Sequence, residues 1–600
     1  MFFDRIASEI AYLRGALRTL SRLKPIMLAR ERTWSDVAEQ LAEKYGDRDM
    51  ALSAHGDEKH SFRSYNARAN QYARWAIANG VEKGDTVALM MPNRPEYLAV
   101  WLGIARAGGV TALLNTNLTG HPLAHCVNIV TPKHVICDAR LAGAMASALG
   151  EIAEGPTFWV YGESESGWPR IDTLLDGIDD GPLPANQRPK LTIEDKCLYI
   201  YTSGTTGLPK AANINHYRVQ SVMNGFSAAT NASDADRIYI CLPLYHTAGG
   251  VLAVGTVITV GGTVVIGEKF SAQSFWDHVV DNNCTMFQYI GELCRYLLNS
   301  PAHPKETQHR LRIISGNGLR PDIWVDFKER FRIPKILEWY AATEGNAVFL
   351  NFDGKVGAVG RIPKWAEKKF VTEVVRFDHE TEQPVRGPNG FCIKATPNEI
   401  GETISQILND PDRPSQRFEG YADKAATEKK ILRDVFEKGD AWFRSGDLMR
   451  RDELGYFYFV DRIGDTFRWK GENVATSEVS ETLSSYPGLE EINVYGVAVE
   501  GRDGRAGMAA LVVKDSFDLD GFSVFVKERL PDYERPLFLR IQPQMEITGT
   551  FKIRKVDLVK DGFDPSRIRD TLYFFDPREG QYVPLDSALY AEIQGGGIRL

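Results

Sequence analysis

The densest potential chemistry in the sequence is the run Thr202-Ser203-Gly204-Thr205-Thr206-Gly207-Leu208-Pro209-Lys210. It follows an apolar stretch, residues 197–201, that reads as a strand, so the loop begins where a strand ends. Glycines let backbone amides approach an anion, and the hydroxyls and the lysine ammonium add further donors. Four hydroxyl side chains, two glycines and a lysine so close together suit a polyphosphate better than a plain turn. The spacing is not that of the P-loop NTPases, because G-x-x-x-x-G-K-[ST] is absent.

Further segments follow in order: Leu242-Pro-Leu-Tyr-His246, Ser315-Gly-Asn-Gly-Leu319, Tyr340-Ala-Ala-Thr-Glu344, Ser445-Gly-Asp447 and Asp461-Arg462. With the loop, this series resembles the ordered motifs of the adenylate-forming superfamily, which joins acyl-CoA synthetases, peptide-synthetase adenylation domains and luciferases. Phe467-Arg-Trp-Lys-Gly-Glu-Asn-Val474, residues 316–324 and Thr548-Gly-Thr-Phe-Lys552 are most similar to the fatty acid transport protein and very-long-chain acyl-CoA synthetase family. The likeness runs from about residue 50 to the end. It departs at Ala341, where the family has glycine, so the backbone there must accept a Cβ. The N-terminal spanning helix of animal members is not found either, which argues against integral membrane anchoring.

The resemblance implies a ligase that joins a fatty acid to ATP as an acyl adenylate and passes the acyl group to coenzyme A. Its first step brings two anions together, so charge must be neutralised and the attack aligned. By resemblance, Thr202 and Glu344 hold Mg2+. Ser203, Gly204, Thr205, Thr206, Gly207 and Lys210 cradle the phosphates. Gly316, Asn317, Gly318, Tyr340, Ala341 and Thr343 line the adenine side. Asp447 and Arg462 take the ribose, and Lys552 bridges carboxylate and α-phosphate as the catalytic lysine beside Glu344. Asp461 is the hinge, Lys470, Gly471, Glu472 and Asn473 form the coenzyme A channel, and His246 and Gly249 line the acyl pocket. Two other functions stay open: an acyl-AMP ligase that loads a carrier protein, and a membrane-associated transport protein with secondary ligase activity.

These residues need a scaffold, and the patterning supplies an α/β one. Residues 34–45 read as a helix, 87–91 as a buried strand, 97–107 as a helix and 110–114 as a strand. Such alternation implies mostly parallel sheets with ligands at the strands' carboxyl ends. The apolar stretch 251–266, broken by Gly255, Gly261 and Gly262, reads as buried strands around turns. Residues 353–445 read as a β-rich subdomain. The expected domains are an amphipathic N-terminal helix (1–33), a large ATP- and fatty-acid-binding domain (34–460) and a small mobile α+β cap (461–600).

At 600 residues with 43% hydrophobic and 25% charged composition, the chain is long enough for several cores. A net charge of −8 argues against nucleic acid as the main partner. Seven scattered cysteines without C-x-x-C spacing fit free buried thiols in a reducing compartment, and no zinc cluster is present. A cytoplasmic enzyme is expected, either free or peripheral at the inner face of a membrane, and a homodimer is among the assemblies left open. Phe3, Ile6, Ile10, Leu13, Leu17 and Leu20 recur at helical spacing, with Arg5, Arg14, Arg18 and Arg22 mostly off that stripe. Residues 1–25 therefore read either as an interfacial membrane helix or as a helix docked on protein.

Overall fold

The computed structural model describes residues 2–202, 208–367, 370–379, 381–410, 413–470, 472–502, 504–545 and 555–600. Contacts divide the chain into two compact units, one of residues 1–361 with 406–432, the other of residues 362–405 with 433–600. Two sheets of the first unit are built on fourteen strands. In chain order they are β1 (Asp49–Ser53), β2 (Lys59–Ser61), β3 (Thr86–Met90), β4 (Val110–Leu113), β5 (His134–Asp138), β6 (Thr157–Tyr161) and β7 (Lys196–Thr202). They continue with β8 (Lys210–Asn215), β9 (Arg237–Ile240), β10 (Thr263–Ile266), β11 (Met286–Ile290), β12 (Ile313–Asn317), β13 (Ile336–Ala341) and β14 (Val348–Leu350).

One sheet runs β6-β5-β3-β4-β7-β8 and the other β14-β13-β12-β11-β9-β10-β1-β2. Pairing is parallel except at β7–β8, β1–β2 and β13–β14. Strands β3, β4 and β5 are buried along their whole length, as strands of a sheet covered on both faces must be. The helices used below are α1 (Phe2–Leu28), α2 (Trp34–Tyr45), α3 (Phe62–Ala78), α4 (Pro95–Arg106) and α5 (His216–Ala229). Helix α4 opens on Pro95, which lacks only an amide that no helix start could pair, and it is buried throughout.

The stretch 251–266 departs from the strand reading. A π-helix, Thr247–Ala253, runs into α6 (Val254–Ile258), and only Thr263–Ile266 is strand. The cause is backbone packing. A Cβ on Gly250 would lie 1.9 Å from the Leu244 carbonyl oxygen, so glycine lets the wide helical turn back directly onto residues 242–244. An apolar run of that length carries no period that separates strand from buried helix.

Helix α1 lies on α5 through the side that carries Arg18 and Arg22. Arg18 Nε donates to Ala228 O at 3.1 Å, and Arg22 donates to Ser227 Oγ and, at 3.2 Å, to Ala232 O. Tyr12 meets Phe352 edge-on at 5.6 Å, and Ile26 packs with Ile193 and Tyr217. The apolar row therefore points away from the docked face: Ile6, Ile10, Leu13, Leu17 and Leu20 are 41–60% exposed. Among the described residues no helix is long and apolar enough to cross a membrane.

The second unit pairs Thr372–Asp378 with Ile400–Gln406, and Ala441–Arg451 with Tyr456–Arg462, both antiparallel. It also holds a five-stranded mixed sheet from Leu489–Val497 to Gln581–Pro584. Helices Thr476–Ser484 and Leu519–Arg529 close its core, in which Val479, Leu483, Phe522 and Val526 are fully buried. The architecture is the expected α/β class, with parallel sheets in the large unit and an α+β element toward the C-terminus. All seven cysteines are buried and unpaired.

Candidate nucleotide site

In the first unit, the candidate residues gather at the carboxyl ends of strands from both sheets. Thr202 ends β7 and Lys210 begins β8, at the two edges of the glycine-rich loop. Residues Ser203, Gly204, Thr205, Thr206 and Gly207 of that loop lie outside the described residues. Gly316 and Asn317 end β12, and Gly318 follows with φ +78°, a left-handed conformation that costs glycine nothing. Tyr340 and Ala341 end β13, where Tyr340 stacks on Phe349 at 5.5 Å and Ala341 pairs with Val348. Ala341 is thus an ordinary strand residue, and its Cβ is held among Phe226, Leu252 and Trp339.

Glu338, on the same strand, supports the Gly318–Leu319 turn from beneath. Its carboxyl accepts from Leu319 N at 3.2 Å and from the Tyr289 hydroxyl. Burial pushes its pKa up to about 8, against the opposing pull of those hydrogen bonds. Glu338 is therefore chiefly a neutral acid near pH 7. A lone carboxylate inside the apolar run Ile336-Leu337-Glu338-Trp339-Tyr340 was the signal for it in the sequence.

Thr343 and Glu344 lie just beyond β13. Thr247 Oγ1, at the start of the π-helix, donates to Thr343 Oγ1 at 3.1 Å, tying the His246 segment to this turn. His246 is half-buried with its ring 4.6 Å from that of Tyr245, and a Cβ on Gly249 would meet the Pro243 carbonyl oxygen at 2.4 Å. Arg218, on α5, gathers the turn's backbone: its guanidinium donates to Gly345 O at 2.5 Å, Glu344 O at 3.4 Å and Thr343 O at 3.5 Å. Burial lowers its pKa, and the charges of Glu419 and Glu344 oppose that.

Glu344 Oε1 accepts a hydrogen bond from the Tyr421 hydroxyl at 2.6 Å. The Thr202 side chain lies beside that phenol, and Lys210 Nζ lies 5.7 Å from its ring centre. One tyrosine thus links three residues that come from three places in the sequence. Neither Tyr421 nor Arg218 was apparent from the sequence, because each acts through neighbours brought in by the fold.

The second unit carries the remaining candidates. Asp447 and Arg462 are register partners on adjacent strands, with Arg462 Nε 3.7 Å from Asp447 Oδ1. Asp461 is buried, and its Oδ2 accepts from Thr476 N at 2.7 Å and Thr476 Oγ1 at 2.9 Å. Burial raises its pKa, while the nearby Lys555 ammonium counters that. Lys470 sits in a left-handed turn, φ +53°, ahead of the short strand Glu472–Val474 that carries Glu472 and Asn473. Gly471 and Lys552 lie outside the described residues.

The family described as "AMP-binding enzyme" matches residues 38–402. The chain belongs to the AMP-binding enzyme family. This enzyme is 44% identical over 535 residues to mouse (Mus musculus) long-chain fatty acid transport protein 1, covering 88% of this chain and 82% of that one. It is also 44% identical over 547 residues to rat (Rattus norvegicus) long-chain fatty acid transport protein 2, covering 90% and 87%. Among solved structures, ATP-bound MatB from Rhodopseudomonas palustris shares the enzyme's fold with a TM-score of 0.72 at 23% identity, covering 88% of this chain and 98% of that one.

Proposed function

We propose that the enzyme is a long- or very-long-chain fatty acid–coenzyme A ligase. In the first step a carboxylate oxygen attacks the α-phosphorus of ATP, the α–β phosphoanhydride bond breaks, and pyrophosphate leaves. In the second the coenzyme A thiol, giving up its proton, attacks the acyl carbon, and AMP leaves. The observation that carries this reading is the convergence of Thr202, Lys210 and Glu344 on one side chain at the strand ends. Identity to fatty acid transport proteins over nearly the whole length supports the choice of acid.

A hydroxyl and a carboxylate are the few hard oxygen donors that Mg2+ takes when it keeps most of its ligands as water and phosphate. Among the described residues Glu344 Oε2 accepts no hydrogen bond, which leaves it available as such a donor. Thr202 and Glu344 would hold the ion, which when bound supplies charge neutralisation at the phosphates. Asp447 is assigned the ribose hydroxyls with Arg462 beside it. Lys552 carries the charge that offsets the transition state, Asp461 is the hinge, and Lys470, Gly471, Glu472 and Asn473 serve coenzyme A.

The test is pyrophosphate release across a series of short to very long fatty acids, with and without coenzyme A. Release that requires coenzyme A and rises with chain length is expected. Release that ignores coenzyme A would favour loading of a carrier protein instead. Lys552→Ala should abolish adenylation yet spare thioester formation from a supplied acyl adenylate, and equal loss of both would refute its role.

The outward row of α1 supports placing the enzyme at an anionic membrane surface. Arg14 and Lys24 are exposed beside Leu13, Leu17 and Leu20, so cations flank the apolar face as they do on interfacial helices. The Leu13→Glu, Leu17→Glu double variant should lose co-sedimentation with phosphatidylglycerol vesicles. Unchanged co-sedimentation, or wild-type binding only to neutral vesicles, would defeat this placement.

A further inference from the structure

Tyr421 is held by its own backbone more firmly than a loop residue needs to be. Residues 419–422 run antiparallel along the outer edge of β8. Asn213 N donates to Gly420 O at 3.0 Å and Ala422 N to Ala211 O at 2.9 Å, with Ala212 bridged to Tyr421 between them. Asn213 Nδ2 donates to Glu419 O at 2.9 Å, Asn215 Nδ2 to Glu419 Oε1 at 3.1 Å, and Tyr421 N to Thr427 Oγ1 at 2.9 Å. The side chain is 5% exposed, so it cannot swing away without breaking this edge.

What such a rigid phenol does is decided by its partner. A glutamate side chain has three freely turning bonds, and ordering one costs most among the acidic residues. With Oε1 bound to Tyr421, the Glu344 carboxylate has one orientation. The ring face meanwhile holds the Lys210 ammonium, at the other end of the phosphate loop.

We propose that Tyr421 is the positioning residue of the adenylation step: its hydroxyl aims Glu344 so that Oε2 faces the divalent cation carried by ATP, and its ring seats Lys210. This rests on the ligase reading above only for the identity of the acid, since the cation and ATP can be measured without any acid. The two parts of the side chain have separate consequences. Removing the hydroxyl frees Glu344 and leaves the ring against Lys210, whereas removing the ring also releases Lys210.

The experiment uses the full chain with Tyr421→Phe, Tyr421→Leu, Glu344→Gln and the Tyr421→Phe, Glu344→Gln pair. Binding of Mn2+ to the enzyme–ATP complex is followed by electron paramagnetic resonance, and ATP binding without metal by calorimetry. Loss of a hydrogen bond to a charged group predicts Mn2+ affinity about 10- to 100-fold weaker in Tyr421→Phe, with metal-free ATP affinity unchanged. Tyr421→Leu should weaken metal-free ATP binding as well. In the Glu344→Gln background Tyr421→Phe should add nothing to the loss of Mn2+ affinity. Wild-type Mn2+ affinity in Tyr421→Phe, an undiminished further loss in the double variant, or failure of Tyr421→Phe to fold would overturn the proposal. Normal metal behaviour with no pyrophosphate release from any fatty acid would instead overturn the ligase reading and leave Tyr421 in place.

Discussion

Replacing Arg218 by methionine removes the side chain that binds all three carbonyls of the Thr343–Gly345 turn. The structure sets the size of the effect. The 2.5 Å bond to Gly345 O is a charge-assisted hydrogen bond, a class that contributes about 1.5–3 kcal/mol. The bonds to Glu344 O and Thr343 O, at 3.4 and 3.5 Å, are long enough to add only a few tenths each, roughly. A stability loss of about 2–3 kcal/mol is therefore expected, read as a lower urea midpoint at constant slope. Because the turn carries Glu344, ATP–pyrophosphate exchange should fall as well, by about 10- to 100-fold in kcat/KM for ATP. Arg218→Lys should fall between the two, since an ammonium can keep the Gly345 bond but not the fork. If Arg218→Met stays within about 0.5 kcal/mol of wild type and exchanges normally, the guanidinium does not organise the turn and the argument fails.

Glu338→Gln tests the neutral acid beneath the Gly318–Leu319 turn. A carboxyl raised from its ordinary 4.5 to about 8 contributes stability that is complete below about 4.5 and is lost as pH rises through about 8. The variant should therefore show a flatter melting temperature from pH 5 to 9 than wild type (roughly, the window set by those two values); parallel curves would refute the assignment. Glu96 gives the opposite sign. Burial works against it, but hydrogen bonding from His60 and the Arg68 charge hold it down at about 2, so its contribution is present above about 4.5 and disappears as pH falls toward 2. Glu96→Gln should accordingly be less stable at neutral pH, and the gap to wild type should close in acid, as followed by circular dichroism. Gly250→Ala should lose about 1–3 kcal/mol through the clash with Leu244 O, and a neutral melting temperature would show that the 242–244 backbone yields.

The parallel architecture was legible because its strands are buried on both faces and so appear as plain apolar runs, as at β3 and β4. Helix α2 was expected over the same residues it occupies. The run at 251–266 was not legible, since continuous apolarity fits strand and buried helix alike and the deciding contact, Leu244 O against Gly250, is tertiary. Periodicity found α1, but its apolar stripe was no guide to its docked face: Arg18 and Arg22 bond to α5 and the stripe faces out. At the candidate site the residues that carry motif positions were readable, whereas Arg218 and Tyr421 were not. A residue that acts by holding another has no spacing of its own to announce it.

The segment that brings Tyr421 into place has a consequence for biosynthesis. The chain leaves the first unit at Arg361, spends residues 362–405 elsewhere, and returns only for residues 406–432. Until then β8 is an unpaired sheet edge, the kind of surface that invites pairing with another chain. At a synthesis rate of about 5–20 residues per second, the roughly 200 residues between the end of β8 at Asn215 and the strip at Glu419 take roughly 10–40 s to emerge. For that interval the nascent enzyme carries the sheet that ends in β7 and β8 without the strip that completes it. Synonymous changes that slow translation of this stretch would lengthen the exposure without altering a single residue of the finished protein.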